Sequence, residues 1–287
     1  MLIFGGSSCQ VLGKEIADGL GADLGRLTVK KFPDGELFLR VESEVRGEDV
    51  VVVQSVCRPH NDNLVEMLLL LDTLRDLGAG KITTVVPYYG YGRQDRRFEA
   101  GEALSAKVVA KHIQLNSDEF VTINPHETHV LDFFDIPSME LDATTLLGEY
   151  YEAFGLDCPL VIAPDKGALA LAEGVSKGLN TDCNHLEKTR LAPCEVETES
   201  KDVGVKERDV IIVDDMIDSG GTILEALKIL KGQGAGDVYI GCVHPILTGN
   251  VVTKLFSNGA VDVVGTNTLG SQVSFVTVAP LLIDALG

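Results

Sequence analysis

Two adjacent carboxylates at the end of an apolar run, Asp214 and Asp215, lead into Asp218-Ser219-Gly220-Gly221-Thr222. Carboxylates placed where a strand meets solvent accept from sugar hydroxyls or hold a hydrated cation, and they repel bare phosphate. The residues before them, Val210 to Val213, are all β-branched and read as a buried strand. After Thr222, Ile223, Leu224, Leu227 and Leu230 repeat at helical spacing. A strand, a glycine turn and a helix start present free amides and the positive end of a helix dipole, which together attract an anion. Thr222 is placed to cap the helix or to donate to a phosphate oxygen. The pattern is neither G-x-x-x-x-G-K-[ST] nor G-x-G-x-x-G, so a nucleotide P-loop and a dinucleotide fold gain no support. The plain alternative is an ordinary capped turn.

Two further stretches suit a nucleotide. In Val29 to Leu37, Pro33-Asp34-Gly35 is a turn signal between apolar flanks, so the stretch predicts a short hairpin with Phe32, Asp34 and Glu36 at its tip. Phe32 offers a flat face to a ring, and the acids accept from polar base or sugar groups. Tyr88 to Arg97 combines aromatics, glycines and Arg93, Gln94, Asp95, Arg96 and Arg97. Guanidinium forks suit phosphate and tyrosines give apolar surface. The competing readings are a surface hairpin and a salt-bridged loop.

Three smaller features follow strands. His126 and His129 lie in Asn124-Pro125-His126-Glu127-Thr128-His129, which lacks the H-E-x-x-H spacing of a zinc hydrolase. His126 could bind metal, contact phosphate or bond to a backbone carbonyl. Asp165, in Pro164-Asp165-Lys166-Gly167, is a candidate metal ligand through water, or a helix cap. Lys188 and Arg190 are two residues apart in a polar stretch, so an extended backbone puts both on one face.

The elements that must position these residues alternate strand and helix along 287 residues, enough for two ordinary domains. This predicts an α/β protein with mainly parallel sheets covered on both faces. The boundary is expected near Ala143, giving 1–142 joined by the C-terminal segment 277–287, and 143–276. A helix is predicted over Glu102 to Gln114 with Leu104, Val108 and Ile113 on its apolar side. Phe133 and Phe134 are expected to pack between units, and the last strand region, about Val273 to Val278, to return to the first domain.

Composition narrows the functions. With 24 basic and 43 acidic side chains the formal charge is -19, which argues against a general nucleic-acid surface and fits a salty cytoplasm. The cluster of Arg93, Arg96 and Arg97 keeps anionic substrates in play. Six scattered cysteines form no C-x-x-C pair, and there is no signal peptide or membrane span, so a reducing cytoplasm is expected.

The loop at 214–222 resembles the phosphoribosyl-phosphate motif of type I phosphoribosyltransferases. Taken in order, FPDGE at 32–36, YGRQDRR at 91–97, H-x-x-H, K-x-R and that loop resemble the ribose-phosphate pyrophosphokinase family over essentially the whole chain, nearest its archaeal branch. The resemblance implies two related phosphoribosyltransferase-type domains and transfer of the β,γ-diphosphoryl group of ATP to ribose 5-phosphate. It implies ATP binding by Phe32, Asp34, Glu36, Arg93, Gln94, Asp95 and Arg96, with the flap acting on a neighbouring subunit of a homo-oligomer. It implies ribose 5-phosphate binding by Asp214, Asp215, Asp218, Ser219, Gly220, Gly221 and Thr222, Mg²⁺ near His126 and Asp165, and catalysis by Lys188 and Arg190. Many relatives carry aspartate where this chain has Asn124, which removes a negative charge beside the metal position. The alternatives are a phosphoribosyltransferase and an inactive regulatory homologue.

Overall fold

The computed structural model describes residues 1–192, 195–200 and 202–287, with the backbone alone in 188–192 and 195–200. The chain forms two compact units: 1–142 with 268–270 and 277–287, and 143–267 with 271–276.

The first unit contains β1 (Leu2–Gly5), α1 (Gln10–Leu20), β2 (Asp23–Leu24), β3 (Leu27–Lys31), β4 (Leu37–Val41), β5 (Val50–Val53), α2 (His60–Asp76), β6 (Ile82–Val86), α3 (Ser105–Ile113), β7 (Glu119–Ile123) and β8 (Ser138–Leu141). Six strands form a parallel sheet in the order β2-β1-β5-β6-β7-β8. Every residue of Val50–Val53 is buried, as expected of a strand covered on both faces. β3 and β4 pair separately as the hairpin that Pro33-Asp34-Gly35 predicts.

The second unit contains α4 (Thr144–Glu152), β9 (Leu160–Ala163), α5 (Leu169–Leu179), β10 (Cys183–His185), β11 (Lys188–Ala192), β12 (Glu195–Ser200), β13 (Val210–Met216), α6 (Gly221–Gly232), β14 (Val238–His244), α7 (Val251–Ser257), β15 (Ala260–Thr266) and β16 (Ser274–Val276). Its parallel sheet runs β10-β9-β13-β14-β15-β16, and β11 pairs with β12 as an antiparallel ribbon. Hairpins aside, the two sheets share one strand order. In each, the second strand lies to one side of the first and all later strands to the other. The order of strand addition reverses between β1 and β5, and between β9 and β13, which is where open α/β sheets leave a crevice at the carboxyl ends of their strands.

Three expectations need correction. α3 is shorter than predicted, with Leu104 at its N-cap. Val108 is 50% exposed, and the buried face is Ala106, Val109, Ala110 and Ile113. Phe133 and Phe134 pack into the first unit's own core, where Phe134 stacks on Phe120 at 4.0 Å between ring centroids. β16 remains in the second unit's sheet, and the chain joins the first unit at 268–270 and again from Thr277. The final segment is a helix, α8 (Ala279–Leu286), which packs on α1. Gly19 allows this approach, since a Cβ there would lie 2.2 Å from Ile283 Cδ1.

Candidate active site

In the second unit, β13 carries Asp214 and Asp215 out of the sheet centre, and Asp218, Ser219 and Gly220 form the loop into α6. Gly221 and Thr222 are the first residues of that helix. All seven residues thus share one strand-loop-helix unit. The loop is pinned from the neighbouring strand end: Ile217 N donates to His244 O at 3.1 Å, and Thr248 N to Asp218 O at 2.9 Å. Gly220 is the N-cap, with φ 73°, and no side chain caps the helix, so Thr222 does not act as a cap.

The acids are held at the strand end by backbone amides. Asp215 N donates to Asp214 Oδ1 at 3.0 Å, and Met216 N to Asp215 Oδ1 at 2.7 Å. Burial pushes the Asp214 carboxyl up to about 8, with Asp215 next in effect and Asp165 adding to it. Asp165 follows the adjacent strand β9 and is exposed, while its Oδ1 accepts from Gly167 N at 2.9 Å as a turn cap. Lys188 and Arg190 occupy alternate positions of β11, and their side chains lie outside the described residues.

In the first unit, Phe32, Asp34 and Glu36 sit at the tip of the β3–β4 hairpin. Phe32 is 47% exposed and meets Phe38 edge-on at 5.9 Å. Asp34 Oδ1 accepts from Glu36 N at 3.2 Å, and Phe32 N donates to Glu36 O at 2.8 Å. The tip therefore has an internally bonded backbone and an exposed ring.

Arg93, Gln94, Asp95 and Arg96 follow β6, and His126 follows its sheet neighbour β7. Arg93, Arg96 and His126 are exposed, whereas Asp95 is buried. His129 Nε2 lies 2.9 Å from Asp95 Oδ2, a pair that the sequence reading did not anticipate. The only sequence signal was the spacing of His129 three residues after His126. Asn124 has φ 34°, a region asparagine tolerates, and its Nδ2 donates to Asp142 Oδ1 at 3.0 Å. An aspartate there would face a carboxylate with no proton to share, which gives a physical reason for asparagine. Among the described residues, no group of three or more His, Cys, Asp or Glu side chains is gathered to hold a metal, and no helix is long and apolar enough to cross a membrane.

Comparison with known proteins decides the family. A family model described as the N-terminal domain of ribose phosphate pyrophosphokinase matches residues 1–116, and one described as the phosphoribosyl transferase domain matches 129–278. A ribose-phosphate pyrophosphokinase of Methanothermobacter thermautotrophicus is 45% identical over 286 residues, covering 99% of each chain. The chain belongs to the ribose-phosphate pyrophosphokinase family. The relationship reaches outside the methanogens, since the Helicobacter pylori ribose-phosphate pyrophosphokinase is 35% identical over 99% of this chain and 91% of its own. The crystal structure of phosphoribosylpyrophosphate synthetase from Mycobacterium smegmatis superposes with a TM-score of 0.89 at 32% identity, covering 99% of this chain and 97% of that one. Both units are thus of the phosphoribosyltransferase type expected for a pyrophosphokinase.

Proposed function

We propose that this chain transfers the β,γ-diphosphoryl group of ATP to the 1-hydroxyl of ribose 5-phosphate, giving phosphoribosyl diphosphate and AMP. The full-length relationship to named pyrophosphokinases carries the reading. A phosphoribosyltransferase would share the second unit's sugar loop, but the match over 1–116 favours the pyrophosphokinase. Retention of Lys188, Arg190 and both acids at 214–215 argues against an inactive regulatory homologue.

In this reading Asp214 and Asp215 accept from the ribose hydroxyls. The residues from Asp218 to Thr222 receive the 5-phosphate at backbone amides and the start of α6. Phe32 stacks on adenine, with Asp34 and Glu36 accepting from the adenine end, while Arg93, Gln94 and Arg96 serve ATP. Lys188 and Arg190 offset charge on the oxygens around the β-phosphorus as the sugar hydroxyl attacks and AMP leaves. No general base is assigned. Catalysis rests on positioning and electrostatics.

Mg²⁺ fits the chemistry of the residues present. A carboxyl as destabilised in its charged form as Asp214, with Asp215 and Asp165 adding to the effect, is relieved by a divalent cation. Mg²⁺ binds through one or two carboxylates together with water and substrate phosphate, so a three-residue protein cage is not required. Asp165 of the second unit and His126 of the first are each proposed as a Mg²⁺ contact, and the ion would supply neutralisation of phosphate charge when bound. We assign the enzyme to a homo-oligomer in which the flap at 32–36 serves the ATP of a neighbouring subunit. The free thiols among the described residues, Cys9, Cys57, Cys158, Cys183 and Cys242, suit a reducing cytoplasm.

Incubation with ATP, ribose 5-phosphate and Mg²⁺ tests the reaction. AMP and phosphoribosyl diphosphate should appear in equal amounts. Free phosphate alone, or consumption of phosphoribosyl diphosphate with a base, overturns it.

A further inference from the structure

The run from Tyr91 to Arg97 is tied down along its length. Tyr91 Oη bonds Asn61 Oδ1, the Gln94 side chain accepts from Ser105 Oγ, and Arg97 Nε donates to Glu102 O at 2.8 Å. Two further ties reach the segment after β7, which carries His126: Arg96 to Glu127 at 3.9 Å, and Asp95 to His129 at 2.9 Å. The first joins two exposed side chains at the limit of an ion pair, so it contributes little. The second is different in kind. The Asp95 side chain is 3% exposed, and its Oδ2 has no hydrogen-bond partner of good geometry among the described residues. A buried carboxyl group is unfavourable without a polar partner, and the one described for the Asp95 side chain is His129.

His129 is 41% exposed at its side chain and is supported on one side. Its ring meets Phe133 edge-on at 6.0 Å and 88°, and Phe133 packs against the first unit's core. A path of contacts thus runs from the core through Phe133 and His129 to Asp95, and along the backbone to Gln94 and Arg93. Asp95 sits behind its loop rather than on its exposed face, unlike Arg93 and Arg96.

We infer that His129 is a positioning residue of the ATP site, acting through the buried Asp95 to hold the loop of Arg93 and Gln94 against the segment that bears His126. This rests on the proposed role of that loop in binding ATP. The second histidine of H-x-x-H thereby gains a task separate from metal holding. Asp95 serves ATP from behind the loop, without touching it.

The test compares His129→Ala, Asp95→Asn and the double variant by steady-state kinetics with each substrate varied in turn. His129→Ala should raise the KM for ATP by about tenfold, within the range for directly coupled neighbours. The KM for ribose 5-phosphate should stay within about twofold. The double variant should bind ATP better than His129→Ala alone, because it no longer leaves a buried carboxyl group without its partner. Amide exchange should quicken in 91–97 and 126–129 and stay unchanged in 210–222. If His129→Ala fails to fold, His129→Leu, which keeps bulk against Phe133 without a donor, carries the same comparison. An unchanged KM for ATP overturns the inference, and so does an equal loss for both substrates or a double variant as impaired as the two single losses combined. Arg93→Ala serves as the control on the underlying reading. If it leaves the KM for ATP untouched, the ATP assignment of the loop has failed. If it raises that KM while His129→Ala does not, the clasp alone has failed.

Discussion

Gly220 lies directly under Val251: a Cβ built on it would come within 2.1 Å of Val251 Cγ2, and its φ of 73° is itself unfavourable for any other residue. Its neighbour Gly221 differs, since a Cβ there meets nothing closer than Ser219 Oγ at 4.0 Å. One glycine is required by the protein, and the other leaves open space at the start of α6. Gly220→Ala should therefore destabilise the fold by at least about 1 kcal/mol, from backbone strain plus the clash. Gly221→Val should melt close to the wild type yet lose ribose 5-phosphate affinity, because its side chain would fill the approach of the phosphate. Thermal unfolding and calorimetric titration separate the two. Unchanged affinity in Gly221→Val removes that residue from the phosphate site.

The two acids at 214–215 predict a pH dependence. An unfolded aspartate ionises near pH 4, whereas burial and Asp215 hold the folded Asp214 near 8. Between those values the folded protein binds a proton that the unfolded chain does not. The contribution of Asp214 is thus fully present below pH 4 and is lost as pH rises toward 8. Asp214→Asn removes this titration, so the stability of the wild type relative to that variant should fall with rising pH, by at most about 1.4 kcal/mol per pH unit. Denaturant midpoints from pH 5 to 9 give the measurement, and a difference that is flat across that range refutes the assignment. Asp215→Asn should weaken ribose 5-phosphate binding more than ATP binding, and equal losses would count against its sugar role.

What could be read from the sequence follows from where each element sits. Val50–Val53 and Val210–Val213 were legible because a strand buried on both faces must be continuously apolar. The assignment of Val108 failed because the packed face of α3 is built partly from Ala106 and Ala110, whose small side chains carry little periodic signal. Asp95 was indistinguishable from the arginines around it. Its described partner is His129, which arrives on the segment after the next strand in the sheet. The two adjacent glycines were equally opaque, since Val251, far along the chain, decides which one the fold needs. Motifs whose residues are consecutive, such as 32–36 and 214–222, were legible because one turn brings them together.

The acid excess predicts a response to salt. A chain with a formal charge of -19 repels itself, and added salt screens that repulsion. The melting temperature should rise between low and molar concentrations of potassium chloride. A fall would exclude adaptation to a salty cytoplasm.

The exposed ring of Phe32 predicts a shared site. Phe32→Ala should impair adenine binding by removing a stacking face, while the hairpin, closed by its own backbone bonds, stays folded. If the flap acts on a neighbouring subunit, mixing Phe32→Ala with Asp215→Asn should restore part of the activity, because mixed assemblies contain sites free of both lesions. No recovery after verified subunit exchange would oppose the arrangement.

Lys188 offers the sharpest test of the chemical step. It begins β11, and Arg190 follows two positions later in the same strand. Negative charge gathers on the oxygens around the β-phosphorus as the sugar hydroxyl attacks and AMP departs. A cation that interacts more strongly with that arrangement than with the ground state lowers the barrier without tightening substrate binding. Lys188→Ala should therefore reduce turnover by roughly 10²–10³, the scale for loss of one preorganised stabilising group. Binding of ATP and ribose 5-phosphate should change far less, and the melting temperature should be nearly unaltered. Single-turnover AMP formation at saturating ATP, Mg²⁺ and ribose 5-phosphate, set beside separate binding titrations, isolates the step. A near-normal chemical rate would remove Lys188 from catalysis, and a slow rate accounted for wholly by weakened binding would reassign it to substrate capture.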